Sequence, residues 1–110
     1  MKDAVHSFVH ERRWEKYHNP KDLAESICIE ASELLEIFQW TTPNESRKFM
    51  TDDSKLKQIK EELSDVVIYC LSMANTLDID LSSAVLDKLE HNKKKYPSSL
   101  YKGKSHLDSE

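Results

Sequence analysis

Four carboxylates stand at matched spacing: Glu30 and Glu33 within Glu30-Ala31-Ser32-Glu33, and Glu62 and Asp65 within Glu62-Leu63-Ser64-Asp65. Residues three apart on a helix are neighbours, with Cβ atoms roughly 5–6 Å apart, so each pair can aim two carboxylates at one point. Semi-buried carboxylates gathered from two helices repel one another and lose hydration unless a cation joins them. Hard oxygen ligands of this kind suit Mg²⁺, with Mn²⁺ as a substitute, and Mg²⁺ commonly bridges protein carboxylates to substrate phosphates. The same spacing also describes a solvated acidic face, and these residues by themselves leave both readings open. Other metal chemistries fit less well. A di-iron bundle wants Glu-x-x-His on two helices, and neither acidic pair is followed by His in that way. A zinc site wants clustered His and Cys, whereas Cys28 and Cys70 fall in separate helical patterns and read as reduced core residues. With one Gly in the chain no glycine-rich phosphate loop can form, so any grip on phosphate must come from metal and side chains.

These side chains need helices to carry them, and the composition allows little else. One Gly and three Pro are too few turn residues for the hairpins of an all-β fold. The apolar spacing predicts a first helix over residues 2–17, with Val5, Phe8, Val9 and Trp14 on one side. Asn19 as N-cap and Pro20 at the first helical position open a second helix, over residues 20–39. Its apolar residues Leu23, Ala24, Ile27, Cys28, Ala31, Leu34, Leu35 and Phe38 recur at the spacing of one helix face. Thr41-Thr42-Pro43 stops it, and Thr42 with Glu45 resembles a capping box for a short helix reaching residue 50. Asp52-Asp53-Ser54 opens the longest helix, to residue 77, and Asp80 or Ser82 caps a last one that ends at residue 95, before Pro97.

At roughly 100° per residue, the apolar stripe of the longest helix centres near Leu63 and Ala74. That centre places Glu62, Asp65 and Tyr69 on one flank and sends Glu61 to the far side. On the second helix Glu30 touches the edge of the stripe and Glu33 lies beside it, while Glu25 and Glu36 point out to solvent. No internal repeat, low-complexity tract or domain boundary is visible. The expected organisation is one domain over residues 1–97 and a polar C-terminal tail over residues 98–110.

Length and charge narrow the function. A chain of 110 residues with 38% hydrophobic and 33% charged residues is the size and composition of one folded, soluble domain. Twenty acidic against 16 basic residues give a net charge of −4, a poor basis for nucleic-acid binding, which leans on phosphate neutralisation by Lys and Arg. The Met-Lys-Asp start has no signal-peptide core, and no apolar run approaches membrane-spanning length. A cytoplasmic protein with neither nucleic-acid nor membrane partners is expected.

Several segments, taken together with the acidic pairs, resemble the all-α nucleoside triphosphate pyrophosphohydrolases of MazG-like type, and within them the dCTP pyrophosphatase branch. The signature of that family is an E-x-x-E helix followed by an E-x-x-D helix, matched by Glu30, Glu33, Glu62 and Asp65. The likeness extends to Glu11-Arg12-Arg13-Trp14-Glu15, to Glu33-Leu34-Leu35-Glu36-Ile37-Phe38-Gln39-Trp40, to Glu62-Leu63-Ser64-Asp65-Val66 and to Asn92-Lys93-Lys94-Lys95-Tyr96-Pro97. The resemblance implies Mg²⁺-dependent cleavage of deoxynucleoside triphosphates, dCTP among them, to the monophosphate and pyrophosphate, as house-cleaning of the nucleotide pool. It makes Glu30, Glu33, Glu62 and Asp65 metal ligands and catalytic residues, and one Glu a general base as well.

The resemblance also sets Trp14, His18, Trp40 and Tyr69 around the nucleoside, with Lys88 and Asn92 near sugar or phosphates. An indole at position 40, just past the second helix, could stack on a base; Trp40 and Trp14 also read as core or interface aromatics, and His18 as a loop residue beside Pro20. The basic run 93–95 could meet phosphate, but it also complements the carbonyl end of its helix. One departure stands out: relatives of that branch carry a His in the first helix where this chain has Val5, with His6 the nearest substitute. The fold expected is all-α, a four-helix-bundle-like MazG-type arrangement completed by oligomerisation as a homodimer or homotetramer, since thin helices of this length make a small core alone. The alternatives are a sibling dUTP-type or phosphoribosyl-ATP-type hydrolase, or a non-catalytic helical interaction module whose acidic flank is solvated.

Overall fold

Polar side chains decide where the helices begin. The computed structural model describes residues 1–103. Its helices are α1 (Lys2–Glu11), α2 (Pro20–Glu36), α3 (Pro43–Lys48), α4 (Asp53–Thr76), α5 (Leu81–Lys95) and α6 (Ser98–Tyr101), with 3₁₀ turns at Glu15–Tyr17 and Phe49–Thr51. There is no strand among the described residues. Asn19 caps α2, its Oδ1 accepting from the Asp22 N–H at 2.9 Å, and Pro20 follows at the first position. Thr42, Asp52 and Asp80 do the same for α3, α4 and α5, accepting from the N–H groups of Glu45, Lys55 and Ser83 at 3.2, 3.1 and 3.1 Å. All four starts agree with the turn chemistry of the sequence. The helical turn α6 forms where the sequence reads as polar tail, and residues 104–110 of that tail lie outside the described residues.

Two helix ends differ from expectation. The first helix, predicted through residue 17, stops at Glu11 because Arg13 takes a left-handed conformation, φ 54°. The Trp14 N–H then reaches back to the Val9 carbonyl at 3.1 Å and the Arg13 N–H to His10 at 3.0 Å, the paired bonds of a Schellman cap. Trp14 lands edge-on against Phe8, ring centroids 5.6 Å apart, which is the apolar contact that goes with such a cap. The second helix, predicted to residue 39, ends at Glu36 and tightens into i→i−3 bonds from Ile37, Phe38 and Gln39 before Pro43.

The chain divides into two units, Met1–Asp78 and Ile79–Glu110. In the first, α2 and α4 run antiparallel, their principal contact, and α1 lies on α4. Among the described residues Val9, Leu23, Leu71 and Ala74 are the buried hydrophobic ones. The inward rows are Leu23, Ile27, Glu30 and Leu34 on α2, continued by Phe38 just past its end, and Leu56, Ile59, Glu62, Val66 and Met73 on α4, all buried or half-buried. This corrects the expected stripes. Leu63, placed at the centre, is 49% exposed, and Ala24, Cys28, Ala31 and Leu35 face outward. Both helices are apolar on two sides, so a wheel averaged over all apolar residues points between the faces, about one residue off the row that is packed. In the second unit Lys93 pairs with Glu90 at 2.8 Å, and the Tyr96 N–H closes α5 onto the Asn92 carbonyl at 2.7 Å.

The cap at Arg13 gives a stability test. A left-handed residue with a Cβ costs roughly 1–2 kcal/mol, part of which glycine returns as chain entropy. Arg13→Gly is expected to stabilise the protein by up to about 1 kcal/mol in chemical denaturation; a net loss would show that the arginine side chain contributes more than its backbone strain costs.

Candidate metal centre

Because the packed row on α4 runs through Glu62, the carboxylates sit between the helices instead of on a flank. One oxygen each from Glu30, Glu62 and Asp65 lies within 4.8 Å of the others. Glu33, one turn along α2, faces both Glu30 and Glu62. The surroundings hold Glu30 and Glu62 toward their neutral form. Burial first, then the contact with Glu33 and the charges of Glu33, Asp65 and Glu62, push Glu30 up from 4.5 to about 7. Burial and the charge of Glu33 also raise Glu62.

Glu30 Oε2 and Glu62 Oε2 are buried with no hydrogen-bond partner. Two orphaned carboxylate oxygens beside two further carboxylates form a hard, oxygen-only donor set that a divalent cation satisfies and that no protein donor in the centre does. The residues fit Mg²⁺ or Mn²⁺.

Beside the centre a cleft of about 500 Å³ opens between the C-terminal part of α2 and the N-terminal part of α4. Glu33, Glu36 and Ile37 form one wall, and Lys55, Gln58, Glu61 and Glu62 the other. One sequence expectation is overturned here: Glu61 is not on a far side but lines this cleft, as does Glu36, which is exposed as expected. Turning the packed row from Leu63 to Glu62 brings Glu61 from about 160° to about 100° away from the face that meets α2.

The other expected site residues lie on several elements. Tyr69 is half-buried on α4, one turn past Asp65. His18 lines a cavity of about 250 Å³ together with His6, Val9, Glu15, Ser72, Asn75 and Thr76. His6 is therefore in this cavity, while Val5 lines an apolar patch with Leu63, Val67 and Leu71. In the same wall the Glu15 carboxyl is held below its usual range, first by its own backbone N–H and then by His10, whose Nδ1 is 2.7 Å away. Trp14 is 42% exposed against Phe8, and Trp40 is 87% exposed on the turn after α2. Since Phe38 meets Phe49 at 5.6 Å and Ile37 shares a cleft with Lys55, Trp40 belongs to the end of the helix pair opposite Tyr69. Lys88 is exposed and Asn92 half-buried on α5, in the second unit.

Reading the sequence missed Lys55, Gln58, Ser72 and Asn75. The last two continue the i+3, i+4 ladder of Asp65 and Tyr69, a polar line through an apolar helix that could have pointed to them.

Fold and site together define an all-α protein in which two antiparallel helices gather carboxylates that could hold a cation. The family model described as MazG-like matches residues 25–106. The chain belongs to the MazG-like family. It is 38% identical over 98 residues to dCTP pyrophosphatase 1 of Homo sapiens, covering 89% of this chain and 58% of the human protein. To dCTP pyrophosphatase 1 of Mus musculus it is 36% identical over 96 residues, covering 87% and 56%. The chain thus spans little more than half the length of the curated relatives it matches. Its fold resembles the crystal structure of a pyrophosphatase from Archaeoglobus fulgidus, with a TM-score of 0.78 and 43% identity over 86% of this chain and 87% of that one.

The raised Glu30 has a thermodynamic consequence. A carboxyl whose folded-state value lies above its unfolded one stabilises the fold fully below about 4.5 and loses that contribution as pH rises through about 7. In chelator the melting temperature should therefore fall between pH 5 and pH 8. Glu30→Gln should flatten that slope, and Mg²⁺ should offset it, because ligation favours the ionised carboxylates. A slope unchanged in Glu30→Gln would assign it to other groups.

Proposed function

We propose that this protein is a Mg²⁺-dependent nucleoside triphosphate pyrophosphohydrolase, acting on deoxynucleoside triphosphates including dCTP and releasing the monophosphate and pyrophosphate. The observation that carries this reading is the convergence of Glu30, Glu62 and Asp65 with two buried, unpartnered oxygens, in a MazG-like chain whose relatives bear the name dCTP pyrophosphatase. Glu30, Glu33, Glu62 and Asp65 hold the metal. Mg²⁺ supplies polarisation of phosphoryl oxygens and offsets the charge of the departing pyrophosphate. Glu33 faces Glu30 and Glu62 while standing outside the three-oxygen convergence, which supports it as the group whose carboxylate accepts the proton of the attacking water. The half-enclosed cleft positions the phosphates, and the nucleoside lies toward Tyr69 and the cavity of His18 and His6, with Trp14 nearby. Lys88 and Asn92 contact sugar or phosphate. The role is house-cleaning of the nucleotide pool in the cytoplasm.

Self-association belongs to this reading. Trp40 and Tyr69 stand at opposite ends of one carboxylate centre, so Trp40 stacks on a base only in the centre of a second copy. The outward rows of α2 and α4, with Ile29, Leu35, Leu63 and Ile68 exposed, supply apolar area for a homodimer or homotetramer. Light scattering at micromolar concentration should give a mass well above 12.8 kDa; a fully active monomer would sink the shared site.

The chemistry is tested on two adjacent glutamates. Glu62→Gln removes a ligand at the centre and should lower Mg²⁺-dependent pyrophosphate release at least about a hundredfold, a loss of several kcal/mol of transition-state stabilisation. Glu61→Gln, on the exposed rim, should stay within a few-fold and within roughly 0.5 kcal/mol in stability. Inactive Glu61→Gln beside active Glu62→Gln would reverse the assignment.

A further inference from the structure

The cleft beside the carboxylates has one cationic side chain in its walls, Lys55. Glu33, Glu36, Glu61 and Glu62 share that cleft, and among the described residues Lys55 forms an ion pair with none of them. Its ammonium instead lies 5.1 Å from the centre of the Phe49 ring, which in turn packs on Phe38. The ammonium is thus held over an aromatic face in the wall of an acidic cleft. Gln58 is its neighbour one turn on, with an amide that can donate to the same ligand.

Position along α4 gives this charge a use. Lys55 precedes Glu62 by two turns, roughly 10 Å of helix, a span that a triphosphate chain and a lysine stem cover together. Tyr69 lies on the other side of Asp65. With the scissile phosphate at the carboxylates and the nucleoside toward Tyr69, the terminal phosphates run into the cleft of Lys55. A phosphate tail entering between four carboxylates is repelled unless a positive charge meets it there.

We propose that Lys55, assisted by Gln58, receives the terminal phosphates of the substrate and so makes the centre select triphosphates over shorter nucleotides. This rests on the pyrophosphohydrolase reading and goes beyond it by naming the residue that measures phosphate length. Removing a charge-assisted hydrogen bond that is equally strong in the ground state and the transition state raises KM and leaves kcat in place.

The test uses Lys55→Met, which keeps an apolar stem over Phe49, alongside Lys55→Arg. With dCTP and Mg²⁺, Lys55→Met should raise KM about tenfold with kcat within about twofold, and should weaken inhibition by inorganic pyrophosphate by about the same factor. Inhibition by dCMP, which has no terminal phosphates, should not move, and Lys55→Arg should recover most of the loss. If the wild type releases pyrophosphate and Lys55→Met matches it in KM and in pyrophosphate inhibition, this inference fails alone. Equal weakening of dCMP inhibition overturns it too, since the effect would then be a general disturbance of the site. A wild type that releases no pyrophosphate from any nucleotide removes both readings together.

Discussion

Carboxylates that would be ordinary on a helix surface become the governing fact of this molecule because two of them occupy positions in the packed row between α2 and α4. Glu30 and Glu62 stand where apolar residues would otherwise meet, and each keeps an oxygen without a partner. Desolvation and mutual repulsion make that arrangement unfavourable for the isolated chain at neutral pH. Leu23 and Ala74 at one end of the pair and Phe38 with Phe49 at the other close it around the charged middle. The helix pair is thus pinned by apolar contacts at its two ends and left polar at its centre, where a divalent cation is the natural counterpart.

How far this was legible from the residues depends on the kind of signal. Local chemistry read well: Asn19, Thr42, Asp52 and Asp80 start helices because a side-chain oxygen at an N-cap needs nothing but its own next three residues. The pairing of Glu30 with Glu33 and of Glu62 with Asp65 also came from spacing alone. Rotation of each helix about its axis did not, because α2 and α4 carry apolar residues on outward faces as well, and the sequence does not say which face meets the neighbouring helix. The misplacement of Glu61 follows from that one error. The early end of α1 was illegible for another reason: Arg13 is not a residue that announces a left-handed turn, and the cap depends on Trp14 finding Phe8.

The dispersal of the aromatic and basic residues has a common origin. On the proposed reading, a single pair of helices offers two ends to a central cation site, and a nucleotide is longer than that site. Tyr69 and the cavity of His18 lie toward one end, Lys55 and Trp40 toward the other, so the polarity of α4 sets a direction along which base, sugar and phosphates would be read in turn. The exposed apolar rows lie on the outer faces of the pair.

The cap at the end of α1 links two things that look separate. Glu15 and His18, which wall the 250 Å³ cavity, lie on the segment that Arg13 and Trp14 turn back toward α4. The cavity is consequently an outgrowth of a helix terminus, and its shape is inherited from an aromatic edge-to-face contact some residues away. Substitutions at Phe8 would reshape the recess without touching its lining. Divergent members of such a lineage could retune what the recess accepts by altering the corner, leaving its lining and the carboxylates unchanged.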